Sequence, residues 1–321
     1  MNRLWSGLTL LLLAAPLAAQ QQPCSSIDPN TTRACRTAVD AVRAFYPLAG
    51  MIVSGGNPVL GTSGSLGGVG HVFVTTRVNV IKASLPDPDS ASQSSVPSSF
   101  DGAVPAPIVE AGLGLLRGSR RGLLAVDALG SAVLLPTGVV NDLSVDPDAP
   151  RIGSVALGLG FGGRVSLLHG GFPIPSLSVS VMRRLLPRIQ YGTLAATLGA
   201  SGDQFEFDTD LTANNYRLAA GWRLALVDLA AGVGVDHYTG TAHIRYHDNP
   251  ALPTGVRVVT LGLHNTRELL FLNAGLRLGG ANLVGELGYQ TGEDQQLSTT
   301  FSDFDPKAGH LFGGLGFRFG F

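Results

Sequence analysis

Charge is the first thing in short supply. Only 14% of the 321 residues are Asp, Glu, Lys or Arg, against about 25% in an ordinary soluble domain. Long apolar runs are missing too. Beyond the N-terminal stretch no run of about 18 uninterrupted apolar residues occurs, which excludes a helical membrane protein. The 43 glycines follow no Gly-X-Y period, which excludes collagen. Neither sign of charge is in excess: the net charge is −1 and the pI about 6.6, so nothing in the charge balance points to nucleic acid. What is present in quantity is apolar, with 45% hydrophobic residues and a mean hydropathy of +0.25. A hydrophobic, glycine-rich, charge-poor chain without a spanning helix is expected to cross a membrane with strands. The predicted fold class is therefore all-β, a closed antiparallel transmembrane barrel.

The N-terminus reads as an export signal over 1–19. Met1-Asn2-Arg3 supplies a positive start, Leu4 to Ala15 an apolar stretch, and Leu17-Ala18-Ala19 small residues before Gln20. Gln21-Gln22-Pro23 ahead of Cys24 lacks the small apolar residues of a lipoprotein site, so no lipid anchor is expected. Cys24 and Cys35 are the two cysteines of the chain. Their closeness suits a local disulfide in an oxidising compartment, and their spacing is not that of a redox pair. Residues 31–45 read as an amphipathic helix. Ala34, Ala38, Ala41 and Phe45, with Cys35, Val39 and Val42, form its apolar stripe; Arg33, Arg36, Asp40 and Arg43 lie opposite. Asn30 or Thr31 would cap its start and Pro47 end it. The segment 20–70 is expected to be a stapled N-terminal region, either a periplasmic helix or a plug. Packing on the barrel floor is preferred over lining a route through the lumen.

From His71 the period changes to two, and the barrel is assigned to 71–321. Val72, Val74, Thr76, Val78 and Val80 alternate with His71, Phe73, Thr75, Arg77 and Asn79. The alternation returns around Val155 to Phe161, Tyr216 to Leu224, and Leu270 to Leu278. One face is apolar and the other small, polar or charged, which suits lipid outside and a lumen inside. Candidate strands are 71–82, 108–116, 122–133, 152–165, 176–183, 189–199, 205–212, 215–224, 229–245, 255–278, 282–290 and 311–321. That gives about 12 strands, with 10 to 14 compatible, and 255–278 must be one strand to keep the parity. Long polar connections at 84–107, 134–151, 246–254 and 291–310 are expected outside the cell. Tight turns at 117–121, 225–228 and 279–281 are expected in the periplasm.

In the last strand Leu315, Phe317, Phe319 and terminal Phe321 alternate with Gly314, Gly316, Arg318 and Gly320. At these residues the chain resembles the outer-membrane β-barrel proteins of Gram-negative bacteria, whose final strand ends in an aromatic residue. The resemblance implies location in the outer membrane. It also implies two partners, the lipid of that membrane and the barrel-assembly machinery, which reads the final strand as an insertion signal. Asn57-Pro58, in a Gly-rich segment ahead of a barrel, is also similar to the long-chain fatty-acid transporter family, in which an N-terminal hatch fills the lumen and hydrophobic substrate passes through.

Charges facing lipid cost several kcal/mol, so the charged residues on strands are assigned inward. The expected lumen-lining set is Arg77, Glu110, Asp127, Arg164, Arg217, Arg223, Asp236, Arg277, Glu286 and Arg318. Such a lumen either passes or binds small solutes, hydrophobic ones included, behind a gate, or is closed by Arg–carboxylate pairs and serves structure or interaction. Asp236, His237, His243, His247 and Asp248 fall near one hairpin, but on a strand His243 and His247 do not form a metal site. The chain is therefore expected not to be an enzyme, and neither a cofactor nor a metal is expected.

Overall fold

The computed structural model describes residue 24 and residues 28–119, 123–136, 143–168, 170, 173–194, 202–247, 255–293, 297, 301 and 304–321. The expected export signal lies outside the described residues. The chain forms one helix, α1 (Pro29–Ser54), followed by β1 (Val72–Pro86), β2 (Ser98–Leu116), β3 (Ala125–Pro136), β4 (Leu143–Val145), β5 (Arg151–Ile152) and β6 (Val155–Leu168). Then come β7 (Ser176–Tyr191), β8 (Phe205–Arg223), β9 (Val227–His247), β10 (Val256–Leu278), β11 (Ala281–Gln290) and β12 (His310–Gly320). Pairing runs β7-β8-β9-β10-β11-β12-β1-β2-β3-β6, and β6 pairs back to β7, so the ring closes with every contact antiparallel. The barrel has 10 strands; β4 and β5 lie outside the ring as two short strands.

The expected count of about 12 is corrected by two mergers. Candidates 176–183 and 189–199 are one strand through Tyr191, because a bulge between Leu186 and Ile189 accommodates Pro187 without ending the pairing with β8. Of the second candidate, 195–199 lies outside the described residues. Candidates 205–212 and 215–224 are also one strand. The break left between them at Ala213-Asn214 is instead paired across to Tyr238 and His237 on β9. The 255–278 segment is a single strand, β10.

Short turns at 117–124, 224–226 and 279–280 share one end of the barrel with the start of β1 and the C-terminus. Connections at 87–97, 137–154, 192–204 and 291–309 share the other. In outer-membrane barrels short turns are periplasmic and long loops extracellular. The seam between first and last strands is closed by Phe73↔Gly320 through Ile81↔Phe312, and Val72 and Phe321 exchange both backbone hydrogen bonds at 3.0 and 2.9 Å.

The period-two alternation sorts side chains as it must in a barrel. Leu218 and Trp222 are 42% and 40% exposed, while Arg217 and Ala219 between them are buried. Val78 and Val80 on β1, Leu270, Leu272 and Leu276 on β10, and Leu315, Phe317 and Phe319 on β12 extend this exposed apolar belt around the ring. A belt of such residues exposed to water would be prohibitive; against lipid it is the expected surface.

The interior is not empty. α1 lies inside the barrel against β1, β2, β8 and β9, and most of its residues are buried on every side. The preference for packing on the barrel floor is thereby corrected. The helix is also longer than expected at both ends. Asp28 caps it, its side chain accepting from Asn30 N at 2.8 Å, and Pro47 lies within it. A proline inside a helix costs about 3 kcal/mol. Here Leu48, Met51, Ile52 and Val53 beyond it are buried, and each buried aliphatic side chain returns about 1.5–3 kcal/mol. The helix ends at Gly55, whose φ of 57° places it in the left-handed region. Cys24 and Cys35 form the expected disulfide.

Leu218→Arg should cost about 2–4 kcal/mol at mid-bilayer and sharply reduce the heat-modifiable, membrane-inserted fraction on a gel. Leu218→Met should leave that fraction unchanged.

Candidate functional site

The lumen is layered, and the layers follow from which residue types each strand turns inward. The middle layer is ionic. Arg77 Nη2 donates to Glu110 Oε1 at 2.9 Å and Arg77 Nη1 to Glu286 Oε1 at 3.4 Å. Arg184 Nη2 reaches Glu110 at 3.3 Å, and Arg184 Nη1 donates to Asn215 Oδ1. Asn215 Nδ2 and Arg217 Nη1 both donate to Asp236 Oδ1 at 2.6 Å, and Tyr238 OH donates to Asp236 Oδ2 at 2.9 Å. Three arginines thus meet three carboxylates with no net charge, which is the condition for burying them at all.

This layer grips the chain just after α1. Arg217 Nε donates to Gly56 O at 2.6 Å and its Nη2 to Gly55 O at 2.8 Å. From β11, three strands round the ring from Arg217, Glu286 accepts from Gly56 N at 2.8 Å and Asn57 N at 2.7 Å. Asn273 joins by donating to Glu286 at 2.8 Å and accepting from Asn57 Nδ2 at 2.7 Å. Two peptide units are therefore held on both their donor and acceptor sides, as buried backbone groups require. The fit is close: a Cβ at Gly55 would lie 2.9 Å from the Arg77 guanidinium.

Below this clamp, residues 58–70 descend to the short-turn end. Arg318 Nη1 donates to Leu60 O at 2.8 Å, Ser63 meets Ser176 at 2.5 Å, and Leu66 N points at Asp127 at 3.3 Å. Asp127 is paired with Arg164 at 2.8 Å. The lumen is closed along this length by the protein's own chain.

Above the clamp the interior is apolar. A cavity of about 110 Å³ lies between α1 and the wall. On the helix side it is lined by Phe45, Leu48, Ala49, Ile52 and Val53. On the wall side stand Ile81, Ala83 and Leu85 of β1, Phe100, Val104, Pro105 and Ala106 of β2, Leu135 of β3, Leu143 and Val145 of β4, and Leu186 and Ile189 of β7. Every lining side chain is apolar.

The cavity lies at a break in the wall. β1 and β2 stay paired from Val72↔Leu113 to Pro86↔Ser98. Pairing of β2 with β3, however, starts only at Ile108↔Val133. Among the described residues no strand pairs with the other edge of β2 between Ser98 and Pro107. The sequence supplies the reason in Pro105 and Pro107, which have no N–H. Their pairing with Val80 and Val78 of β1 is unbroken, so the absent donors fall on the edge that faces β3. Tyr191 of β7 bridges the top of the opening, donating to Pro86 O at 2.9 Å and bonding Ser99. The opening sits level with the outer edge of the belt, between exposed Val80 and the Lys82–Asp101 ion pair at 3.0 Å.

Of the residues assigned to the lumen from sequence, the structure brings together Arg77, Glu110, Arg217, Asp236 and Glu286 in the clamp layer. It places Asp127, Arg164 and Arg318 beneath it. Arg223 and Arg277 lie elsewhere, on Asp228 at the short-turn rim, with side chains 59% and 33% exposed. They continue the inward rows Arg217, Ala219, Gly221 and Phe271, Asn273, Gly275, but at strand ends, where the mouth of the barrel leaves them partly exposed. Arg184, Asn215, Tyr238, Asn273 and Gln290 were missed. Arg184 follows the inward row Ser178, Ser180, Met182 and was lost because the candidate strand stopped at 183. Leu315, Phe317, Phe319 and Phe321 all face outward along the terminal strand. His243 pairs with Asp208 at 3.0 Å, away from Asp236, and among the described residues no group of three His, Cys, Asp or Glu is arranged to hold a metal.

No family model and no curated protein matches the chain. Solved structures similar to it include the outer membrane protease OmpT from Escherichia coli, at 11% identity, covering 78% of this chain and 96% of that one with a TM-score of 0.40. The translocator domain of autotransporter NalP from Neisseria meningitidis is similar at 12% identity, 87% and 97% coverage and a TM-score of 0.40. The β domain of the Bordetella autotransporter BrkA is similar at 16% identity, 77% and 98% coverage and a TM-score of 0.36. The expectation that the chain is not an enzyme is corrected at this point: a protease stands among the similar barrels, and that exclusion is dropped. At these identities and TM-scores the likeness gives this chain none of the activities in those names. The resemblance to the long-chain fatty-acid transporter family is not confirmed by the matches.

Removing one partner of a buried ion pair costs about 3–5 kcal/mol, so the clamp is the point at which the closed lumen is most easily loosened. The wild-type protein should be silent in a planar bilayer. An Arg217→Ala/Glu286→Ala variant should show discrete conductance events at the same protein load. The chain is a closed 10-stranded antiparallel β-barrel with an apolar outer belt, and its lumen is filled by its own N-terminal segment.

Proposed function

We propose that the protein binds a small apolar solute in the cavity between α1 and the wall, and that the segment 55–70 keeps the lumen below that site closed. The observation that carries this reading is the cavity itself: about 110 Å³ with no polar side chain in its lining. Apolar cavities of this order stay dry and take up small hydrocarbons; one of about 150 Å³ holds benzene. A small aromatic or short branched hydrocarbon, or the end of a longer chain, matches the space. The unpaired edge of β2 supplies an approach that does not cross the clamp, and the residues around it are apolar from the belt inward.

A solute bound here meets Phe45, Leu48 and Ile52 of α1 directly. The helix is thus the element through which occupancy would be felt, and the clamp at its C-terminal end is where release of the lumen would begin. This makes a gated binding barrel a better reading than an open pore, since Arg217 of β8 and Glu286 of β11 hold the chain within the lumen from two separate strands.

The test is ligand uptake by the refolded barrel. Fluorobenzene, followed by fluorine NMR in detergent, should bind saturably to the wild type. Ala49→Phe, which fills the cavity from the helix side, should weaken binding by at least about tenfold, equivalent to about 1.4 kcal/mol, while leaving heat-modifiability intact. Equal binding by the two proteins would overturn the reading.

A further inference from the structure

The direction in which α1 lies has a consequence for the cell surface. Its C-terminal end is at the clamp, where Ser54 Oγ accepts from Asn215 at 2.9 Å. Asn215 neighbours Tyr216, the first residue of the exposed apolar row on β8. The helix has 26 residues and so runs about 39 Å, longer than the apolar band of about 25 Å that such barrels place in the bilayer. It runs away from the belt and toward the long loops. Arg33 Nη1 donates to Ser92 O at 2.8 Å and Thr37 Oγ1 to Ala91 O at 2.7 Å, both in the β1–β2 connection. Gln204 ties that connection to the one between β7 and β8, accepting from Ser92 N at 2.8 Å and donating to Asp89 O at 2.7 Å.

The other end of the segment is fixed with equal firmness. Residues 58–70 descend past Leu60, held by Arg318, and Leu66, held near Asp127, to the short-turn end where β1 begins beside Phe321. The chain therefore passes through the ring from one mouth to the other, with Asp28 and the start of α1 at the long-loop mouth.

We infer that the barrel presents the exposed first turn of α1, at Pro29 and Asn30, at the cell surface, anchored by the buried Cys24–Cys35 disulfide and framed by the long loops. This makes surface presentation of the N-terminal end a second role of the fold, independent of whether the cavity takes a solute. Pairing of Cys24 to Cys35 fastens Cys24 to the first turns of a helix that is itself fixed inside the ring. The presented end is thereby held close to the mouth.

Labelling of intact cells with a membrane-impermeant thiol reagent tests the inference. In a Cys24→Ser/Cys35→Ser background, Asn30→Cys reports on the exposed first turn of α1, Gly262→Cys on the protruding part of β10, and Gly280→Cys on a short turn. Asn30→Cys is expected to react on intact cells to the same extent as Gly262→Cys, with Gly280→Cys reacting only after permeabilisation. Reaction of Asn30→Cys only after permeabilisation, together with Gly280→Cys, would overturn the inference. Should the cysteine replacements prevent insertion, or Asn30→Cys fail to react, an epitope placed between Gln21 and Gln22 with both cysteines intact decides. Antibody binding to intact cells supports surface presentation, and binding only after permeabilisation rejects it.

Discussion

The structure depends on one constraint: a closed ring must fill its own inside. Once 10 strands have sealed at β1–β12, an inward charge buried in the plugged part of the lumen is costly unless it finds a partner there. Arg77, Arg184 and Arg217 find Glu110, Glu286 and Asp236. Further bonds of Arg217 and Glu286 go to backbone, and that backbone is the Gly55–Asn57 stretch. The clamp is therefore as much the completion of a buried charge network as a restraint on the plug. Removing the plug would leave Arg217 and Glu286 without several of their partners, so network and plug stabilise each other.

The same constraint explains why the barrel changes character along its axis. In the belt the lumen is narrow, lined by Gly, Ser and paired charges, and an extended link is all that fits through it. On the long-loop side β8, β9 and β10 turn Phe205, Phe207, Ile244, Tyr246, Leu261 and Leu263 inward. That is an apolar core of the ordinary kind, and it needs an apolar partner. α1 supplies it, with residues such as Val39, Val42 and Val53 wholly buried. The helix reads as amphipathic by sequence, yet it is buried nearly all round because its surroundings are the inside of a barrel.

Much of this was legible in the residues. A lipid-facing row has to be apolar at every second position, and that requirement leaves a periodicity strong enough to assign the terminal strand, β1 and most of β10. The disulfide was legible from two cysteines with no other partner. Strand number was harder, since Pro187 and Asn214 carry turn chemistry that long-range pairing overrides. The candidate site was legible by halves. Arg217 and Glu286 follow from the alternation, but nothing local says that they meet within the lumen at Gly56. The cavity was invisible, because its lining alternates on the same two-residue period as any inward row. The one local sign of it was Pro105 and Pro107 on a strand otherwise built to pair on both edges.

Those two prolines separate two properties of the barrel that are often the same. In a plugged barrel a solute ordinarily meets the plug along the lumen, so access and obstruction share a path. Here the apolar cavity borders the edge of β2 that no described strand pairs, on the long-loop side of the clamp, and in the proposed reading a solute enters there through the wall. Arg217 and Glu286 lie on β8 and β11, away from β2 and β3 in the order of the ring. Occupation of the cavity therefore requires no bond of the clamp to break. Any effect of a solute on the lumen has to travel down α1, from Phe45 and Ile52 to the peptide units at Gly55 and Gly56. A ligand that packs against the helix as it stands would stabilise the closed state. Only one that binds better to a shifted helix has the differential affinity needed to open it.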